Sequence, residues 1–350
     1  MYILLAILGF GILIAVHEFG HFMAAKACGV RVEEFSIGMG PALWKKQKGE
    51  TLYALRALPI GGYCAMSGED EAIEDDPRAF SSQPAWKRVI ILVAGSFMNF
   101  LIGLVLLVIV FSSSRAYSTP VITEFFDGCP YESAEGLQVG DEFYRIDGHR
   151  IYFSANVSEY LARGNGVHDI VVIRDGEKVT LEDFELKLLT YPGEEGQYYG
   201  FRFGVKEMNF GQKLQYSWYC ALDFVRMVYN SLRDLLAGAV GVKDLSGPVG
   251  IVSMINDVGQ ESAGVKDALL NIAYFMAFIA VNLAVMNMLP IPALDGGRVF
   301  LLVVTWIIEH ITRRKVDPRF EGYIHTGGMV LLLGLMAFVM FNDIFRIVTK

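Results

Sequence analysis

Four apolar runs in this chain are long enough to cross a lipid bilayer, and they restrict its fold more than any other feature. About 20 predominantly apolar residues in a helix span the hydrocarbon core. The four runs are residues 3–28, 89–111, 268–289 and about 328–348. Because 53% of all residues are hydrophobic, above the usual share in soluble proteins, we predict an α-helical polytopic membrane protein with four transmembrane helices. A fifth run, residues 299–308, is too short to cross and is predicted to form a helix buried against the others.

The first apolar run contains an ionisable motif, His17-Glu18-Phe19-Gly20-His21. Two histidines one helical turn apart lie on the same face, where they can bind Zn²⁺, and the neighbouring glutamate can accept a proton from water. Ionisable groups are unfavourable inside a bilayer, so they indicate a functional site. The alternative is a pair of helical histidines with ordinary hydrogen bonds and an incidental glutamate. The run has no basic start and no small-residue cleavage site, so we do not interpret it as a signal peptide.

Lysine and arginine residues predict the orientation of the helices. Residues 26–88 contain nine of them and residues 298–319 contain five, and loops of this kind usually face the cytoplasm. The N-terminus and residues 112–267 are therefore predicted to lie outside the cytoplasm. Residues 112–267 hold 14 Lys and Arg against 23 Asp and Glu, a net charge of −9, whereas the whole chain carries −8. An acidic outer segment argues against nucleic acid as a partner, because phosphate binding needs a basic surface.

The segments between the apolar runs predict two β-structured regions. Residues 35–41 and 55–63 flank a polar tip with alternating apolar residues and several glycines, which predicts a β-hairpin near the histidine motif. Residues 121–188 alternate short β-prone runs with turn signals and predict a small β-rich domain. The predicted parts of the chain are 1–113 with two spans and the hairpin, 114–205 as the β-rich domain, 206–267 as an amphipathic helical linker, and 268–350 with the last two spans.

A catalytic zinc site with one open position needs a third protein ligand. Asp295 follows the third apolar run, which is broken by Pro290 and Pro292. His17 lies about 14 residues, or about 21 Å along the helix axis, from the outer end of its helix, which places it in the cytoplasmic half of the membrane. Asp295 lies just beyond the cytoplasmic end of the third span, so the two side chains are predicted to lie at a similar depth. His325 is the other candidate for the third ligand.

These motifs together resemble those of a known protein family. His17-Glu18-x-x-His21 and Asn287-x-x-Pro290-x-Pro292-x-Leu294-Asp295-Gly296 are similar to the two signatures of the site-2 protease family of intramembrane zinc metalloproteases. The resemblance covers nearly the whole chain. Further matching segments are Gly38-Met39-Gly40-Pro41, Pro59-Ile60-Gly61-Gly62-Tyr63, Asn99, Asn282 and Ser246-Gly247-Pro248-Val249-Gly250. With one PDZ-like domain, the chain most resembles the sigma-factor-activating proteases of Gram-positive bacteria. Two departures are the missing proline between Gly95 and Asn99 and the Met39 that stands where phenylalanine is common.

The resemblance implies roles for individual residues. It implies that His17, His21 and Asp295 hold one Zn²⁺ per chain and that Glu18 is the general base. The residues that it implies in substrate binding are Asn282, Asn287, Gly38, Gly40 and Asn99. For Asn99, an interhelical hydrogen bond is an equally open alternative.

The resemblance also implies a fold and an activity. The implied fold adds a membrane-associated β-hairpin and an inserted extracytoplasmic PDZ-like α+β domain to the four helices. The implied activity is hydrolysis of peptide bonds in the transmembrane segments of single-pass membrane proteins, such as anti-sigma factors or signal-peptide remnants. The implied location is the bacterial cell membrane, with the active site toward the cytoplasmic side.

Two other classes of protein are alternatives. One is a membrane adaptor or chaperone with a non-catalytic metal, and the other is a zinc transporter. Glu18 argues against the adaptor, because a structural metal site needs no base. The chain has no inverted repeat, which argues against the transporter.

Overall fold

The computed structural model describes residues 1–69, 76–163, 165–239, 241, 247–313 and 318–349. Ser246 of the glycine–proline motif therefore lies outside the described residues. The helices are α1 Tyr2–Cys28, α2 Ala85–Ser112, α3 Ser154–Leu161, α4 Phe210–Leu236, α5 Pro248–Glu261, α6 Val265–Asn287, α7 Asp295–Thr312 and α8 Pro318–Thr349. The strands are β1 Val32–Lys48, β2 Thr51–Met66, β3 Ala116–Phe125, β4 Glu142–Ile146, β5 His149–Arg150, β6 Val167–Arg174, β7 Glu177–Glu185 and β8 Phe201–Glu207.

Four helices in the described part of the chain are long and apolar enough to cross a membrane. They are α1, α2, α6 and residues Gly322–Phe345 of α8. The prediction of four spanning helices is confirmed, with ends that differ by a few residues. The chain forms two compact units, one of residues 1–110 with 224–350 and one of residues 111–223.

Helix α7 corrects one expectation. The apolar run at residues 299–308 was predicted to be buried against other helices, and this prediction is wrong. Phe300, Val303 and Trp306 are 52%, 45% and 59% exposed, and the buried positions are Gly296, Gly297 and Leu302. An apolar helix face needs no protein partner where lipid can cover it, because lipid tails are as apolar as leucine.

Strands β1 and β2 form an antiparallel sheet beside α1, as the alternating pattern predicted. Residues 32–37 of β1 pair along one side with residues 62–66 of β2. Along the other side they pair with residues 52–55, which also belong to β2. Residues 42–48 of β1 pair with the other side of residues 51–56 of β2. The two long strands therefore make four strand segments, and residues 58–66 form one edge of the sheet.

Charged side chains fix this sheet to the end of α1. Glu50, in the turn between β1 and β2, accepts hydrogen bonds from Arg78 at 2.7 Å and from Lys26 of α1 at 2.8 Å. These two cations lower the pKa of Glu50 to about 2. Deeper in the sheet, Phe35 and Met66 pack with Ala25 in one apolar cluster. The sheet is thus held against the C-terminal part of α1.

The unit of residues 111–223 is built on an antiparallel sheet of order β7-β6-β4-β3-β8, with β5 beside β4. Phe143, Ile146 and Ile170 from its strands are fully buried with Val157 of α3. The β-rich domain that the turn spacing predicted is therefore present.

Helix α4 lies in the segment of residues 206–267 that was predicted to be helical and amphipathic, and only part of its apolar surface is buried. Cys220, Ala221 and Phe224 are buried. Leu214 and Trp218 are 41% and 45% exposed. The apolar surface of α4 is therefore wider than the part of the helix that other protein residues cover.

Helix α5 begins at the glycine–proline motif, and its N-terminus is capped from α8. Asp343 is 3% exposed and accepts hydrogen bonds from the backbone N–H groups of Gly247 at 3.2 Å and Gly250 at 2.9 Å. A carboxylate at a helix N-terminus satisfies free N–H groups and interacts favourably with the helix dipole. This contact explains why a spanning helix carries a buried aspartate.

Candidate metal centre

Helices α1 and α7 bring three potential metal ligands together. Nε2 of His17 lies 3.1 Å from Nε2 of His21. Oδ2 of Asp295, the first residue of α7, lies 3.2 Å from Nε2 of His17 and 3.3 Å from Nε2 of His21. Among the residues that the structure describes, this is the one group of three His, Cys, Asp or Glu side chains close enough to share an ion.

These separations fit a zinc ion. A tetrahedral Zn²⁺ with ligands at about 2.0–2.1 Å separates neighbouring donor atoms by about 3.3–3.4 Å. The three observed distances lie within 0.3 Å of that range. Two imidazole nitrogens and one carboxylate oxygen are also a common donor set for catalytic zinc, which keeps a fourth position open. Residues far apart in the sequence therefore form a site with the right size and chemistry.

The second ring nitrogen of each histidine also has a neighbour. Nδ1–H of His21 donates a hydrogen bond to the backbone oxygen of Ile91 in α2 at 2.8 Å. This bond fixes the tautomer and leaves Nε2 of His21 free to bind a metal. Nδ1 of His17 lies 3.4 Å from the side-chain amide of Asn99, also in α2.

A tight loop after α6 positions Asp295. Ala293 adopts a left-handed conformation with φ of +76°, and a Cβ atom at Gly296 would lie 2.3 Å from the carbonyl carbon of Met288. The backbone N–H of Ala293 donates to Nδ1 of His325 in α8 at 3.1 Å. His325, the alternative third ligand, thus contacts the loop that carries Asp295 and is outside the three-residue group.

Two glycines let α1 and α2 approach closely at the centre. A Cβ atom at Gly95 would lie 2.3 Å from Nε2 of His21 and 2.8 Å from Cε1 of His17. A Cβ atom at Gly20 would lie 2.4 Å from the backbone oxygen of Ala94. Sequence reasoning did not assign these glycines to the site. The available signal was a pair of small residues in two spanning helices, which is typical of close helix crossings.

Glu18 lies on the side of α1 that faces the β-sheet. A Cβ atom at Gly62 would be 3.5 Å from Cγ of Glu18, so the carboxylate lies beside the edge segment of β2. Glu18 is also close enough to interact electrostatically with the three potential ligands. A base in this position borders both the metal centre and an open strand.

The other predicted site residues surround the same region. Gly38 and Gly40 both have φ of +84°, where the chain turns between the two halves of β1. A Cβ atom at Gly38 would lie 2.4 Å from the backbone oxygen of Leu58. Asn282 and Asn287 are half-buried in α6, and among the described residues their side-chain amides have no hydrogen-bonding partner. Asn99 is only 1% exposed.

Comparison with known proteins identifies the family. The model of peptidase family M50 matches residues 5–335. The chain belongs to peptidase family M50. A protein of Clostridium acetobutylicum named "putative zinc metalloprotease" is 35% identical over 360 aligned residues, which cover 98% of this chain and 97% of the relative. The regulator of sigma-W protease RasP of Bacillus subtilis is 27% identical over 424 aligned residues, with 97% of each chain covered.

Membership of the M50 family, which is the site-2 protease family, confirms the resemblance that the two motifs indicated. The protein is a membrane-embedded zinc metalloprotease of the site-2 type, and Zn²⁺ is its cofactor. This result favours the protease over the adaptor and the transporter.

Proposed function

We propose that this M50 protease hydrolyses peptide bonds within the transmembrane segments of single-pass membrane proteins. In this proposal His17, His21 and Asp295 hold the zinc ion, and Glu18 is the general base. The observation that supports it most is the approach of three donor atoms within 3.3 Å of one another, two of them on α1, a helix that can span a bilayer, and the third at the start of α7. The site would lie in the cytoplasmic half of the cell membrane, where water can reach it.

The residues divide the chemistry between them. When bound, zinc polarises the scissile carbonyl and lowers the pKa of a coordinated water. Glu18 accepts the proton of the attacking water and passes it to the leaving amide nitrogen. Its place between the ligands and the β2 edge supports this role, because the scissile bond has to reach both.

Substrate binding requires that a transmembrane helix opens, since peptide bonds in a helix are shielded. Opening exposes N–H and C=O groups that need new partners in the membrane. Pairing with an open strand would supply them, and the edge segment at residues 58–66, shaped by Gly38 and Gly40, lies next to Glu18. The amides of Asn282 and Asn287 are available for further bonds to the unwound chain.

The proposed substrates are membrane proteins of the anti-sigma-factor type and signal-peptide remnants. The name of the related RasP describes a regulator of sigma-W, which supports this class. We further propose that residues 114–205 form a PDZ-like domain on the outer side, that residues 206–267 link it to the membrane part, and that the domain screens out substrates with bulky outer domains. The predicted N-terminus-outside orientation rests on the lysine and arginine distribution.

The substitution Glu18→Gln tests the assignment. Purified protein and a single-pass test substrate are reconstituted in liposomes, and the products are located by mass spectrometry. We expect wild type to cut inside the transmembrane segment and Glu18→Gln to be slower by about 10²–10⁴-fold, with its zinc still bound. Glu33→Gln, an exposed glutamate of β1, is the matched control and should cleave normally.

Two outcomes would contradict the proposal. Cleavage by Glu18→Gln at the wild-type rate would show that Glu18 is not the general base. Cuts found only outside the transmembrane segment would exclude the intramembrane substrate.

A further inference from the structure

Asn99 is a buried polar side chain beside the metal centre that the proposed chemistry does not use. It lies in α2, is 1% exposed, and its Nδ2 atom lies 3.4 Å from Nδ1 of His17. Its Oδ1 atom is buried and has no hydrogen-bonding partner in the described part of the chain. Leaving a buried amide oxygen without a partner costs about 1–3 kcal/mol.

The proposed metal site conflicts with this orientation of the amide. If His17 binds zinc through Nε2, its neutral ring carries the proton on Nδ1. Nδ1–H then faces the NH₂ group of Asn99, so two donors point at each other. The oxygen and nitrogen of an asparagine amide are assigned from their hydrogen-bonding partners. A half-turn of the amide removes both faults, because Oδ1 then accepts from Nδ1–H of His17.

We propose that Asn99 is a positioning residue whose Oδ1 accepts the Nδ1–H hydrogen bond of His17 and holds that ring in its zinc-binding tautomer. The inference rests on the ligand set of the proposed function. It gives His17 the kind of partner that His21 has in the backbone oxygen of Ile91. The near-complete burial of Asn99 favours this contact over direct contact with substrate.

Groups of one helix, α2, lie beside the second ring nitrogen of both histidines. The backbone oxygen of Ile91 accepts from Nδ1–H of His21, and the side-chain amide of Asn99 lies beside Nδ1 of His17. Asn99 follows Gly95 by one helical turn, so its side chain projects from the same face of α2 that contacts the two imidazoles. Partners that orient metal-binding histidines typically contribute 10–100-fold to metal affinity.

Zinc affinity tests the inference without reference to proteolysis. The full chain in detergent is titrated against a zinc chelator, with three variants. We expect Asn99→Leu, which has no acceptor, to weaken zinc binding about 10–100-fold, and Asn99→Asp, which keeps an acceptor, to bind about as tightly as wild type. Ser96→Ala is the control, because Ser96 is 3% exposed on the same helix and its Oγ has no partner among the described residues.

A second measurement reports on the tautomer itself. In metal-free protein with ¹⁵N-labelled histidine, nuclear magnetic resonance should find the His17 proton on Nδ1 in wild type and in Asn99→Asp, but no longer fixed there in Asn99→Leu. This readout also separates a lost hydrogen bond from a general loss of folding.

The outcomes separate a failure of this inference from a failure of the proposed function on which it rests. If His17→Ala retains stoichiometric, tightly bound zinc, the ligand set is wrong. If His17→Ala loses zinc while Asn99→Leu binds it like wild type, only the role of Asn99 is wrong. Equal loss in Asn99→Asp and Asn99→Leu would mean that the NH₂ group is required, which would also overturn the inference.

Discussion

Gly95 lies so close to the metal centre that a larger residue would displace the histidine rings or α2. An added methyl group would fall 2.3 Å from Nε2 of His21 and 2.8 Å from Cε1 of His17, so either the rings or α2 must move. Displacement of catalytic groups by about 1 Å can cost about 100-fold in rate. We therefore expect Gly95→Ala to reduce cleavage of the liposome substrate by about that factor and to weaken zinc binding.

The control for this prediction is another glycine in a spanning helix. A Cβ atom at Gly334 of α8 would meet no atom within 4 Å, so Gly334→Ala should cleave like wild type. If Gly95→Ala also cleaved at the wild-type rate, the close approach of α2 to the imidazoles would not matter for catalysis.

The sequence predicts the metal ligands better than it predicts the residues that position those ligands. His17, His21 and Asp295 can be proposed from spacing and depth, because metal chemistry restricts the residue types. The roles of Gly95 and Asn99 depend on which face of α1 meets α2. Since α1 is apolar around its whole circumference outside the motif, its sequence gives no preferred face.

Among the elements, the α5 cap supplies a test of stability. Asp343→Ala leaves the N–H groups of Gly247 and Gly250 without their buried acceptor, which should lower the free energy of unfolding by about 1–3 kcal/mol. Thermal unfolding in detergent measures the change. Asp257→Ala, an exposed aspartate within α5, should unfold at the wild-type temperature, and an equal effect of the two substitutions would argue against the cap.

Helices α4 and α7 show what hydropathy cannot decide at this scale. Helix α4 was predicted from an amphipathic pattern and α7 from a short apolar run, and both form. The burial of α7 was overestimated, for example at Phe300 and Trp306. An apolar stripe indicates that a face avoids water, but protein and lipid satisfy that requirement equally. The β1–β2 sheet was predicted more reliably, because alternation and glycine turns define it locally.

For the whole molecule, the bilayer made the number of spanning helices predictable. A spanning segment must satisfy its backbone groups internally and be long and apolar, so four runs gave four helices. The residues at which the two compact units begin and end were harder to predict from the sequence. The unit of residues 111–223 includes the first half of α4, and the helical pattern has no break at Asp223 that would mark this limit.

Zinc should hold α1 and α7 together, because its proposed ligands come from α1 and from the start of α7. With free zinc about 1,000-fold above its dissociation constant, binding stabilises the folded state by about 4 kcal/mol. We expect chelation to lower the unfolding temperature of wild type and to leave that of His17→Ala unchanged, because the variant has already lost the site. Elemental analysis verifies the removal of the metal. Unchanged unfolding of metal-free wild type would mean that the ion does not link these helices, whatever its role in catalysis.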